Sequence, residues 1–148
     1  MQPHSWIEIS QGALRHNVRL LRQVVGKGVL LAPCVKANAY GHGLLPASRL
    51  LLSAGADWLS VHCVEEALLL REAKVTAPIL VLGPLLASEH QAASRLQVRL
   101  MLGDLDRIPA LAAVGSAKQP LAVHLKVDTG MSRQGIAIAD VREREQLR

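Results

Sequence analysis

The chain has 148 residues, 50% of them hydrophobic and 20% charged, which suffices for one ordinary core and argues against general disorder. Its formal charge of +5 comes from scattered basic residues, and one Tyr, two Trp and no Phe leave little surface for base stacking, so nucleic-acid binding is not expected. Arg49, Asp57 and Arg71 interrupt the longest apolar stretches well short of the roughly 20 residues of a membrane span.

The start, Met1-Gln2-Pro3-His4-Ser5, lacks the basic and apolar regions of a secretory signal, so a cytoplasmic protein is expected. Residues 6–9 read as a short extra strand, and Ser10 as the N-cap of a helix whose apolar stripe is Leu14, Val18, Leu21 and Val25. Five strand-length apolar runs follow, at 30–35, 58–63, 79–82, 98–102 and 121–128. Helical segments at 44–53, 64–73, 88–95 and 104–114 lie between them, with Gly55, Gly83, Gly103 and Gly115 near the junctions. Residues 138–148 read as one more helix-like segment. Cys34 and Cys63 sit inside apolar runs without ligand spacing; they are expected to be free thiols, and no metal site is expected.

Near-continuous apolar strands alternating with helices indicate α/β architecture with a covered parallel sheet. Such repeats form either a closed (β/α)8 barrel or an open doubly wound sheet. The fifth run favours the barrel. Its alternate residues His124, Lys126 and Asp128 would point inward near the strand's carboxyl end, while Val123, Leu125 and Val127 face helices. No glycine-rich dinucleotide fingerprint follows residues 30–35, which disfavours the open sheet. The fold expected is therefore a partial TIM-type barrel, the first five strands of the eight that closure requires.

The most informative segment is Val35-Lys36-Ala37-Asn38-Ala39-Tyr40-Gly41-His42-Gly43. A lysine at the mouth of a buried strand is costly as an unpaired ammonium. Apolar surroundings favour the neutral amine, which is the form that Schiff-base chemistry uses. The plainer alternative is a lysine snorkelling to water.

This segment resembles the cofactor-binding motif of the alanine racemases. A second stretch, His124-Leu125-Lys126-Val127-Asp128-Thr129-Gly130-Met131-Ser132-Arg133-Gln134-Gly135, is similar to another segment of that family. The resemblance implies a pyridoxal 5'-phosphate enzyme that interconverts L- and D-alanine for peptidoglycan, acting as a homodimer. A racemase of serine or of broader specificity, and a non-catalytic pyridoxal-phosphate-binding barrel, are the competing readings. Because the family carries a second, mostly β domain, residues 1–148 are expected to form an incomplete N-terminal barrel domain, without that second domain and inactive alone.

By resemblance, Lys36 binds the cofactor aldehyde and moves a proton at the substrate Cα, and Tyr40 donates to the cofactor phosphate. Arg133 lies near the cofactor's phenolic oxygen and the substrate carboxylate, and Leu82 lines the cofactor site. Lys126 matches a lysine that in many members carries a carbamate holding that arginine. For each a structural alternative stands: a packed tyrosine, a surface arginine, plain core for Leu82, and an ion pair of Lys126 with Asp128 or another carboxylate. Asn38 could cap the following helix, and no functional role follows for His42. Gln134 departs from the family, where an apolar residue is usual.

Overall fold

The structure is a computed structural model describing residues 4–116 and 119–137. Helix α1 spans Gln11–Val25, and Ser10 caps it as expected, its hydroxyl accepting the N–H of Ala13 at 3.2 Å. The packed face differs from the expected stripe: Val18 is buried, whereas Leu21 is 54% exposed. Arg22 takes the inward place instead. Its guanidinium pairs with Asp57 and donates to the carbonyls of Gly26 and Gly55, each at 3.1 Å, which ties α1 to the start of the next strand. A charged fork can satisfy several carbonyls at a junction that leucine would leave bare.

The central layer is a parallel sheet of four strands: β1 (Leu59–Val61), β2 (Ile79–Val81), β3 (Arg99–Leu102) and β4 (Val123–Leu125), paired in that order. Strand order follows chain order without reversal, so every crossover turns the same way and there is no switch point. That order belongs to a barrel wall. The first expected strand reduces to a parallel bridge of Cys34 with Ser60. Pro33 has no N–H to give the ladder, although its carbonyl still accepts from Ser60 at 2.9 Å. Residues 6–9 form no strand; Trp6 and Ile7 are 71% and 75% exposed, without a strand partner among the described residues.

The linking helices are α3 (Leu44–Ser53), α4 (Val64–Glu72), α5 (His90–Arg95) and α6 (Ile108–Ala112). Single 3-10 turns, Ala87–Glu89 and Leu105–Arg107, precede the last two. All four lie where the periodicity placed them. They cover the face carrying Leu59, Val61, Ile79, Val81, Leu100 and Leu102, which with Leu70 and Ala67 is almost sealed from water. Each fully buried leucine or isoleucine contributes on the order of 2 kcal/mol. Val123 and Leu125 share this face by register yet stay exposed, Val123 bordering an open cleft beside α6.

The opposite face carries Cys34, Ser60, Leu80, Arg99, Met101 and His124, one after another across the sheet. It forms the inside of the partial barrel and is half open. Near its amino end the Trp58 ring stacks under the Arg99 guanidinium at 4.5 Å and meets His124 edge-on at 5.9 Å. The expected fifth strand divides: the Lys126 N–H donates to Leu102 at 2.8 Å, while its carbonyl accepts from Ile136 at 2.8 Å. The chain thus leaves β3 at Lys126 and continues as β5 (Val127–Asp128), paired in parallel with β6 (Ile136–Ala137). Residues 138–148, expected to be helix-like, lie outside the described residues.

Candidate functional site

Four residues lie just beyond the carboxyl ends of the Cys34 bridge and of β1, β2 and β4. Lys36, His62, Leu82 and Lys126 each follow by two residues an inward-facing Cys34, Ser60, Leu80 or His124. In barrels this end supports the chemistry. Lys36 is half-buried rather than sealed in, and its amine makes no hydrogen bond or ion pair with any described residue.

The backbone after Lys36 is unusual. Ala37, Asn38, Ala39 and Tyr40 have φ between 51° and 53°, so the short helical segment α2 (Lys36–Tyr40) contains a left-handed turn. For residues with a Cβ this costs on the order of 1–2 kcal/mol each. Gly41, with φ 89°, continues the positive-φ run at no such cost. Several bonds hold the turn. The carbonyl of Val35 accepts from Ala39 at 2.8 Å, and that of Asn38 from Gly43 at 2.9 Å. The side-chain oxygen of Asn38 accepts the Leu44 N–H at 2.7 Å, so this asparagine does cap α3. The His42 ring nitrogen Nδ1 lies 2.8 Å from the Ala39 carbonyl, which gives the histidine a structural place.

Sequence reasoning missed one member of this assembly. Glu66, from the first turn of α4, accepts the Ala37 N–H at 2.6 Å and the His62 N–H at 2.7 Å, one on each carboxylate oxygen. The available signal was a glutamate three residues after the helix N-cap Cys63, a capping-box position whose carboxylate here reaches beyond its own helix.

Tyr40 is 60% exposed, and its hydroxyl donates to Cys34 Sγ at 3.5 Å. That bond, with some desolvation, holds the phenol above its ordinary value. Leu82 is half-buried at the end of β2, and its carbonyl accepts from Gln134 Nε2 at 3.2 Å.

Arg133 is exposed in the loop between β5 and β6. It borders a cavity of about 380 Å³ with Gln134, Met101, Asp104 and Arg107. Lys36, Tyr40 and Leu82 do not line that cavity, so the two expected halves of the site are linked through Gln134 rather than sharing one pocket.

Lys126 is half-buried and makes no ion pair with Asp128. The Asp128 carboxylate is taken by the N–H groups of Gly130 at 2.9 Å and Ser132 at 3.1 Å. Those bonds, together with the nearby charge of Lys126, hold Asp128 below the usual carboxylate range. Among the described residues no three His, Cys, Asp or Glu cluster as metal ligands, and no helix is long and apolar enough to cross a membrane.

A family model described as alanine racemase, N-terminal domain, matches residues 9–147. The alanine racemase of Synechocystis sp. is 44% identical over 140 residues, covering 91% of this chain and 37% of that protein. The Geobacillus stearothermophilus alanine racemase is 39% identical over 132 residues, 89% of this chain and 34% of its own length. Among solved structures, the Bacillus anthracis alanine racemase with bound L-Ala-P superposes with a TM-score of 0.84 at 33% identity, over 93% of this chain and 36% of that one. The solved alanine racemase from E.faecalis gives 0.83 at 33% identity, over 86% of this chain and 35% of that one. The chain therefore spans little more than a third of these relatives. With a parallel barrel wall, a lysine at its carboxyl end and a family match over nearly the whole sequence, this chain belongs to the alanine racemase family through its N-terminal domain.

Proposed function

We propose that this chain supplies the lysine-bearing part of a pyridoxal 5'-phosphate site in an enzyme racemising alanine. One observation carries the reading: Lys36 stands just past the carboxyl end of the first parallel bridge of the barrel wall, at the start of a left-handed turn and without a partner among the described residues. The donor set suits an aldehyde bearing a phosphate, since it offers a free amine, a phenol at Tyr40 and a guanidinium at Arg133. Beyond Gly41 nothing lies within 4 Å of where a Cβ would be, so the backbone there is open to approach.

In this reading the Lys36 amine would hold the cofactor through its aldehyde and, as a free amine, would move a proton at the substrate Cα. Tyr40 turns its hydroxyl from Cys34 to the phosphate. Arg133 orients the substrate carboxylate, and Lys126, as a carbamate, holds Arg133; Leu82 closes one side of the site. When bound, the cofactor's pyridine system takes up the charge left at Cα. Alanine as substrate is supported by the relatives' names and by the one solved with L-Ala-P. D-alanine supply for peptidoglycan, a homodimer and a cytoplasmic setting complete the proposal, with these 148 residues as the first part of an N-terminal barrel domain.

Racemisation needs proton exchange on both faces of a planar centre, and Lys36 serves one. The 148-residue chain alone is therefore expected to show no alanine turnover. The test is borohydride reduction of the full-length protein with pyridoxal phosphate, followed by peptide mass analysis. The label belongs on Lys36, and Lys36→Ala abolishes both label and racemisation; labelling of another residue defeats the reading.

A further inference from the structure

We infer that Glu66 is a positioning residue for Lys36, an inference that rests on the reading of Lys36 as the cofactor-binding amine. The peptide nitrogen of Ala37 closes the Lys36–Ala37 peptide plane, and its hydrogen goes to Glu66 Oε1 at 2.6 Å. The other oxygen, Oε2, accepts from His62 at 2.7 Å. One carboxylate thus joins the residue after the reactive lysine to the carboxyl end of β1. His62 is anchored in turn, since its carbonyl accepts the Gly83 N–H at 2.8 Å beside Leu82 at the end of β2.

Fixing the Lys36–Ala37 plane limits the angle at which the Lys36 side chain leaves the chain. The backbone bonds of the left-handed turn, with the Asn38 side chain, join its residues to one another and to Val35, Gly41, His42, Gly43 and Leu44, and the Tyr40 hydroxyl reaches Cys34. Val35, just before Lys36, is tied to β1 by its N–H on the Ser60 carbonyl at 2.8 Å, and Glu66 is the side-chain clamp that ties the residue just after Lys36 to the end of the same strand. A carboxylate is suited to this: two oxygens accept two N–H groups at once, as charge-assisted bonds. Glutamine offers one acceptor and would turn its amide donor toward the second N–H. Aspartate keeps both oxygens but falls a methylene short.

The experiment uses full-length protein freed of cofactor, and follows capture of added pyridoxal phosphate by absorbance together with the borohydride label on Lys36. Circular dichroism and melting establish folding. Wild type, Glu66→Asp and Glu66→Gln are expected to capture at successively slower rates, with Glu66→Gln slowed about tenfold or more. In the steady state kcat falls by up to about 100-fold for Glu66→Gln, the scale of a misplacement near 1 Å, while KM for alanine stays within about twofold. Capture at the wild-type rate by folded Glu66→Gln overturns the inference. Should Glu66→Gln not fold, Glu66→Asp decides. Aspartate serves equally well in a helix first turn, so a purely capping role predicts unchanged capture, and wild-type capture by Glu66→Asp then rejects the clamp. Failure of wild type to label Lys36 is a different outcome, which removes the functional reading and this inference with it.

Discussion

Gln134 reaches from the loop carrying Arg133 to the end of β2, where its Nε2 donates to the carbonyl of Leu82 at 3.2 Å and lies 3.8 Å from Met101 Sδ. This polar residue, at a position where the resemblance implies an apolar one, thus has a partner on the neighbouring strand. It is the described side-chain link between the Arg133 loop and the Leu82 end of the site. Replacing it with leucine leaves the Leu82 carbonyl without this donor and frees the loop. Gln134→Leu is expected to cost about 1 kcal/mol of stability and to raise KM for alanine severalfold, with labelling of Lys36 unchanged. Denaturation together with steady-state kinetics of the full-length protein checks both.

Tyr40 and Cys34 form an exposed contact, with the hydroxyl on sulfur at 3.5 Å. A weak sulfur acceptor and an exposed ring mean that losing the hydroxyl costs the fold little. Tyr40→Phe should leave the melting temperature within about 1 °C, since a typical 150-residue domain shifts about 2–4 °C per kcal/mol. Under the proposed function it weakens pyridoxal-phosphate affinity about tenfold, which equilibrium dialysis measures. Unchanged affinity would remove Tyr40 from the phosphate site.

Asp57 accepts the Leu31 N–H at 2.7 Å and pairs with Arg22, and the backbone bond followed by the guanidinium holds its carboxyl below the ordinary value. The sign follows from linkage. A folded-state value below the unfolded one near 3.9 stabilises the protein above that pH, and the contribution fades as pH falls from about 4 through the folded value. Melting temperature should therefore drop as pH falls below about 4 more steeply in wild type than in Asp57→Asn. Parallel slopes in a pH series of thermal melts would contradict this.

Gly83 is buried against the end of β1. A Cβ added there would sit 2.5 Å from the His62 carbonyl oxygen, a backbone atom with no rotamer to change. Gly83→Ala is expected to cost about 2 kcal/mol through overpacking, and to disturb the His62 peptide that Glu66 also holds. A melting temperature within 1 °C of wild type would show that the strand ends separate more easily than the packing indicates.

Much of the architecture was legible in the residue order. Helix α3 begins and ends where the periodicity placed it, and α4 to within a residue, because apolar spacing and glycine punctuation are local signals. Misreadings fall where a partner elsewhere in the chain is needed. Trp6 and Ile7 have strand-like chemistry but no described strand to pair with, and Leu21 yields its inward place to Arg22 because Asp57 waits across the junction. The run 121–128 reads as one strand, yet its backbone changes partners at Lys126.

The same division runs through the site. Lys36, Tyr40 and Arg133 were candidates from the residue order because short motifs place particular functional groups at set spacings, and spacings of that kind are written in adjacent letters. Glu66 and the polar tether of Gln134 were not, since their roles lie in contacts to residues 29 and 52 positions away. By itself the residue order determined the alternation of strand and helix and singled out Lys36 as the candidate amine, both functions of neighbouring side chains. Only the folded chain decided which carboxylate grips the peptide beyond Lys36, and that Arg133 borders a separate cavity, because distances between remote segments are set by how the sheet closes.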